Sequence, residues 1–182
     1  MSTLPQIEPG QASAEAADAL ADVKKALGAV PNLAKVMANS PALVRGWIAL
    51  SRALGEGVLP ADVRERLAIA TAEYNGCEYC LSAHTYAGAR VAKIDSTELE
   101  AARDAKSADP HTAALLELSD AIVRGRGTID DATLAGARQG NVTDAEIAEV
   151  VGNIALNILT NYLNNVADTD NEWPLVTPRS RA

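Results

Sequence analysis

The sequence predicts an all-α protein. Three observations carry this. The apolar residues recur at helical spacing through most of the 182 positions. Gly, Pro and Asn punctuate those runs at intervals of one helix length. Finally, no segment shows β-branched alternation bounded by turns. The aromatic content is 3% and Phe is absent, so the core has to be built from Ala, Leu, Val and Ile. Such a core suits closely packed helices, because Ala has the best helix propensity and lets backbones approach.

The elements follow in order. Residues 12–27 place Ala16, Leu20, Val23 and Leu27 on one face, with Gly28 as the stop. The segment Gly28-Ala29-Val30-Pro31-Asn32-Leu33 turns into a short helix. Pro41 stands at the first helical position, where a missing N–H costs nothing; Leu43, Trp47, Leu50 and Leu54 then share a face until Gly55 and Gly57. Pro60 opens a helix with Asp62 and Glu65 near its positive end. Leu67–Ala72 is apolar or small throughout, which marks a buried central helix. Asn75-Gly76 breaks it, and a new helix is expected from about Cys77 to Ala92. Asp95 and Glu98 have capping-box spacing for a short helix to about Arg103. Further helices are expected from Asp109-Pro110 to Gly125, from about Asp130 to Gln139, and from the Thr143/Glu146 capping pattern to about Val166. The last carries the stripe Ile147, Val150, Val151, Ile154 and Ile158. The result is a single compact domain of about eight helices over residues 1–182, with its core at about 28–176. The tail is expected to be loosely ordered beyond Val176. Val58–Glu65 and Val142–Glu149 are weakly alike, a hint of internal duplication too short to rely on.

Charge and length narrow the function. Sixteen Lys and Arg stand against 24 Asp and Glu, a net charge of −8. An acidic chain repels nucleic acid, because phosphate neutralisation needs clustered Lys and Arg; no such cluster is seen, and Arg124/Arg126 is read as a solvated helix end. No run approaches the about 18 apolar residues of a membrane span, and residues 1–8 do not read as a signal peptide. A cytoplasmic location follows as the expectation. Thiols stay reduced there, so the only two cysteines, Cys77 and Cys80, read as catalytic or metal-binding rather than as a structural staple.

The chemistry is concentrated in Glu73-Tyr-Asn-Gly-Cys77-Glu-Tyr-Cys80-Leu-Ser-Ala-His84. Cys77 and Cys80 share a helix face and can form a disulfide with little movement. Cys80 and His84 lie one turn apart. The pair sits at an expected helix start, where free N–H groups favour a thiolate. Glu73 ends a buried helix and needs a partner; the His84 imidazole, directly or through water, is the expected one. In this relay His84 takes the proton from Cys80, the thiolate attacks an electrophile, and Cys77 resolves the product as a disulfide. Two alternatives stay open: a metal-binding protein using two Cys, His84 and Glu73, and a non-catalytic helical oligomer in which the pair is incidental. Tyr79 is divided evenly between packing and site lining, Trp47 is read as core or subunit interface, and His111 as a surface or capping residue.

The Glu-x3-Cys-x2-Cys-x3-His core resembles the alkylhydroperoxidase D-like, peroxidase-related branch of the carboxymuconolactone decarboxylase superfamily. Gly28-x-Val30-Pro31-Asn32-Leu33, Ser40-Pro41, Leu59-Pro60 with Arg64-Glu65, and Asn164, Asp170 and Trp173-Pro174 extend the resemblance over about residues 28–176. It implies an all-helical homo-oligomer, trimer or hexamer, that reduces small hydroperoxides without a cofactor or metal. It also implies a dithiol reductant of dihydrolipoyl or thioredoxin type. By the same resemblance Cys80 matches the peroxide-attacking cysteine, Cys77 the resolving one that exchanges with the reductant, and Glu73 and His84 the proton relay. The family pattern has a further His between the cysteines where this chain has Tyr79, so the relay is expected to be shorter or to use the Tyr79 hydroxyl. The decarboxylase branch lacks the Cys pair, which argues against lactone decarboxylation.

Overall fold

In the computed structural model, which describes residues 2–179, a short 3-10 helix (Pro9–Gln11) precedes nine α-helices, and no strand occurs among those residues. These are α1 (Ala14–Leu27), α2 (Asn32–Met37), α3 (Pro41–Gly55), α4 (Ala61–Asn75), α5 (Glu78–Arg90), α6 (Ser96–Ala102), α7 (Pro110–Gly125), α8 (Asp131–Gln139) and α9 (Asp144–Ala167). Boundaries lie within a residue or two of those expected, as is usual where helix ends fray.

Local chemistry sets the starts. Ser13, Ser40, Asp95, Asp109, Asp130 and Thr143 each accept a backbone N–H from the first turn of the following helix, satisfying donors that the helix itself leaves free. At α9 the reciprocal capping box is complete, with Glu146 reaching back to the Thr143 N–H. At α6 it is only half formed. Asp95 accepts from Thr97 and Glu98, but the Glu98 carboxylate accepts from the Ser107 hydroxyl and the Ala108 N–H instead. That second duty holds its pKa down.

Two apolar clusters flank the centre. One gathers α1, α2, α3 and α5 around Leu20, Val23, Met37, Val44 and Leu81. The other gathers α7, α8 and the start of α9 around Leu115, Leu118, Ala137 and Val150. Helix α4 contributes to both, Ile69 and Ala72 to the first and Val63 and Leu67 to the second. It is therefore buried on more than one side, as its near-continuous apolar run requires. Helix α9 lies against α4 and likewise borders both clusters. Its start is tied to that of α4 by Glu149, whose carboxylate accepts the Val58 and Leu59 N–H groups at 2.7 and 3.0 Å.

The C-terminal segment departs from expectation. Val176 N–H donates to the buried Ser82 hydroxyl at 3.0 Å, the Thr177 carbonyl accepts from Arg103, and Arg179 donates its backbone N–H to Glu73 and its guanidinium to Glu100 and Asp104. Beyond Val176 the chain is thus fastened as far as residue 179. The rest of the tail, and the first residue of the segment tested for a signal peptide, lie outside the described residues. No helix among the described residues is long and apolar enough to cross a membrane.

Candidate active site

The site is built on the turn between α4 and α5. Gly76 closes α4 with φ of +64°, a left-handed conformation that favours glycine. The chain then reverses, and α5 runs back beside α4 so that Gly88 faces Glu65. Cys77 is the N-cap of α5, and its Sγ accepts the Cys80 N–H at 3.2 Å. The two sulfurs are joined as a disulfide, with Cα atoms 5.3 Å apart. Both cysteines are buried, Cys77 completely.

Of the pair, Cys80 is the one on the wall of a cavity beside α5. That cavity is about 280 Å³, and its walls are mostly apolar, including Leu33, Trp47, Leu156 and Trp173. His84, one turn further along α5, lines the same cavity, as does Glu65. His84 Nδ1 lies 2.8 Å from Glu65 Oε2. A carboxylate only accepts, so Nδ1 carries the proton and Nε2 is the nitrogen able to take another. Asn164 of α9 donates its side-chain N–H to Cys80 Sγ at 3.2 Å.

The structure places Cys80 and His84 on the wall of one cavity with Cys77 bonded to Cys80, but it does not bring Glu73 to them. Glu73 Oε2 pairs with Arg103 Nε at 2.7 Å, both side chains being nearly buried, and its other oxygen accepts from Arg179 N–H at 2.6 Å. The reason is geometric. Glu73 stands about 12 Å further along α4 than Glu65 at 1.5 Å per residue, and α5 travels away from that end. The carboxylate that meets His84 must lie further back on α4, and it is Glu65, 19 residues before the histidine. The helical hairpin implied by Asn75-Gly76 was the signal that could have located it.

The metal-ligand alternative meets the same obstacle. Its four residues are divided among a disulfide, the Glu65–His84 pair and the Glu73–Arg103 pair. Among the described residues no group of three or more His, Cys, Asp or Glu side chains is arranged to hold a metal ion.

Tyr79 both packs and lines the cavity. Its hydroxyl donates to Glu172 Oε1 at 2.9 Å and accepts the Leu33 N–H at 3.2 Å. Burial drives its pKa far above the usual phenol value, with the Leu33 N–H opposing. It bonds to the tail and to α2, not to His84. Trp47 is core and cavity wall together. His111 lies outside the cavity and bonds through both ring nitrogens at the α7 start.

Comparison with known proteins gives a consistent fold assignment. A search of curated proteins finds no significant match. An uncharacterized peroxidase-related protein from Ralstonia eutropha JMP134, described as an alkylhydroperoxidase AhpD core, superposes with a TM-score of 0.82 at 22% identity, over 94% of this chain and 92% of that one. A peroxidase-related protein from Silicibacter sp. TM1040 gives 0.77 at 23% identity, over 92% and 88%. The debrominase Bmp8 in its apo form gives 0.73 at 18%, over 87% of each chain; a cysteine-to-alanine variant of that enzyme is known in complex with 2,3,4-tribromopyrrole. Residues 41–115, the span holding Glu65, the cysteine pair and His84, match the carboxymuconolactone decarboxylase family, in a chain whose fold is that of the alkylhydroperoxidase AhpD core.

Proposed function

We propose that this protein is a thiol-dependent peroxidase that reduces organic hydroperoxides with Cys80 and Cys77. The observation that carries the reading is Cys80 at the wall of an apolar cavity, disulfide-bonded to Cys77 and sharing the cavity with a Glu65–His84 pair. In the dithiol form, His84 Nε2 takes the Cys80 proton and Glu65 stabilises the imidazolium. The thiolate attacks the terminal peroxide oxygen. An S–O bond forms, the O–O bond breaks, and the alkoxide takes a proton to leave as alcohol. Cys77 then attacks the Cys80 sulfenic acid, expelling water and closing the disulfide. An external dithiol, of dihydrolipoyl or thioredoxin type, restores both thiols by exchange. Glu65 replaces Glu73 in this relay, and Tyr79 has no part in it.

The test starts from protein reduced with dithiothreitol and desalted. Cumene hydroperoxide is expected to remove two free thiols per chain, and Cys80→Ser to abolish turnover with a dithiol donor. Thiols that remain titratable after peroxide would overturn the reading.

A cytoplasmic location and a homo-oligomeric state belong to the same proposal. Exposed apolar side chains on α9, with Tyr162 57% and Val166 70% exposed, support assembly, which sedimentation velocity tests. A second reading rests on the aromatic wall of Trp47, Tyr79 and Trp173 around Cys80. That wall also suits a small halogenated aromatic, such as the tribromopyrrole bound by the debrominase neighbour. Its reduction would replace C–Br by C–H, release bromide and close the same disulfide. Bromide release without hydroperoxide turnover would favour this second reading.

A further inference from the structure

We infer that Asn164 sets the acidity of the Cys80 thiol, acting as the directional donor that stabilises its thiolate; this rests on the reading of Cys80 as the attacking sulfur. The two sulfurs are served differently. Cys77, as N-cap, receives the Cys80 backbone N–H and lies at the positive end of α5. Cys80 is already inside the helix, and its own N–H is spent on Cys77. Cys80 Sγ accepts instead from the Asn164 side-chain amide, 3.2 Å away.

The placement is not that of an ordinary packing residue. Asn164 is 3% exposed, and its Oδ1 is buried without a hydrogen-bond partner. An amide carbonyl left that way is a cost, accepted while the N–H end points at sulfur. The helix around it is held in register. Asn161 accepts from the Asn75 side chain at 2.9 Å, and Asn165 donates to the Asn75 carbonyl at 3.1 Å. These bonds bracket Asn164 and pin α9 to the last residue of α4, just before the turn that carries the cysteines. The donor is therefore pre-positioned rather than recruited.

The bond is selective for one state of the sulfur. A disulfide or thiol sulfur is a weak acceptor. A thiolate is an anion, and a hydrogen bond to an ionised partner is shorter and roughly twice as strong. Asn164 thus gains most when Cys80 ionises, which pulls the thiol pKa down. His84 supplies the base that removes the proton, and Asn164 holds the charge left behind.

The experiment uses the reduced full chain with Cys77→Ser, so that Cys80 is the only thiol. Thiolate formation is followed by absorbance at 240 nm against pH, and by the pH dependence of iodoacetamide alkylation. Asn164→Ala is expected to raise the Cys80 pKa by about one unit, cutting alkylation below the pKa about tenfold. Asn164→Asp, which replaces the donor with an anion, is expected to raise it further. Asn153→Ala serves as control, since Asn153 is a buried asparagine of the same helix whose amide donates to the Glu149 carbonyl, away from sulfur. Should one Asn164 variant fail to fold by circular dichroism, the other still decides. An unchanged pKa in a folded Asn164 variant, or an equal shift in Asn153→Ala, overturns the inference. Cys80 that shifts with Asn164 but consumes no hydroperoxide in the Cys77-containing chain would instead overturn the peroxidase reading and leave this one standing.

Discussion

Glu65 and His84 meet across the α4–α5 hairpin, Oε2 of the carboxylate lying 2.8 Å from Nδ1 of the imidazole, while Glu73 on the same helix pairs with Arg103. The two carboxylates thus separate by role, and mutagenesis should separate them too. His84→Ala is expected to lower kcat/KM for hydroperoxide by about 10²–10⁴-fold, the usual scale of general acid–base catalysis. Glu65→Gln should lower it in the same direction, because the amide can offer its own N–H to Nδ1 and favour the wrong tautomer. Glu73→Gln should leave turnover near wild type but cost about 1–2 kcal/mol of stability, because the nearly buried Arg103 loses the closer of its two carboxylate partners and keeps Glu100 at 3.3 Å. Steady-state kinetics and urea melts on the same three variants check both statements.

Tyr79 occupies the position between the cysteines, so a role in proton transfer is the obvious suspicion. Its hydroxyl bonds to Glu172 and to the Leu33 N–H, and burial keeps the phenol neutral far above neutral pH. Tyr79→Phe is expected to leave the pH–rate profile of turnover unmoved while lowering stability by about 1–2 kcal/mol through the lost hydrogen bonds. A displaced pH profile would put the phenol back into the relay.

How much of this was legible follows from what kind of signal each feature leaves. Helices announce themselves locally, through caps such as Thr143/Glu146 and stops such as Gly28 and Gly76, and those were readable. The Cys77, Cys80 and His84 group was readable because all three lie within two turns of one helix. Glu65 and Asn164 were not, as site residues. Each reaches the group from another helix, 19 residues before His84 and 84 after Cys80, and neither has local spacing to betray it. Glu73 misled because a carboxylate at the end of a buried helix does need a partner. The partner came from the end of α6 and from the tail, whose docking no local pattern discloses. Residues 177–179 were misread for the same reason, the bonds of Thr177 to Arg103 and of Arg179 to Glu73 being invisible in their own composition.

His111 offers a pH test away from the cavity. One ring nitrogen faces the Gly140 carbonyl at 2.9 Å and the other the Glu146 carboxylate at 2.8 Å, with Asp109 contributing further negative charge. Both neighbours accept, so the protonated ring satisfies both, and the pKa is raised chiefly by the Gly140 carbonyl and then by Glu146. A raised folded-state pKa means the stabilisation is fully present below the unfolded value of about 6.5 and is lost as pH rises through the folded one. The stability gap between wild type and His111→Gln should therefore be widest in mildly acidic buffer and narrow as the pH is raised past neutrality. Urea melts across that range measure it, and a gap that widens with pH would contradict the assignment.

Gly57 tests how the starts of α4 and α9 are joined. A Cβ there would collide with the Glu149 carboxylate. That carboxylate cannot move aside freely, because it accepts the Val58 and Leu59 N–H groups. Gly57→Ala is therefore expected to destabilise by about 2 kcal/mol, the scale of a hydrogen bond to a charged group. Glu149→Gln, which keeps one acceptor, should cost less. Thermal melts of the two variants rank them.

Trp173 tests what the cavity selects. It reaches the wall on the tail rather than on a helix, held there by Asn171 and Val176, each bonded to the Ser82 hydroxyl at 3.0 Å, and by Glu172 on Tyr79. Its ring also lies against Tyr86, with centroids 5.4 Å apart. Removing the indole widens an apolar wall and leaves Cys80, His84 and Glu65 in place. A bulky hydroperoxide that relies on that wall should then bind less well, and hydrogen peroxide, too small to touch it, should not. Trp173→Ala is accordingly expected to raise KM for cumene hydroperoxide about tenfold or more, the equivalent of about 1.4 kcal/mol of lost apolar contact, with little change for hydrogen peroxide. Equal effects on the two substrates would mean that the tail supports the site as a whole and does not read the substrate.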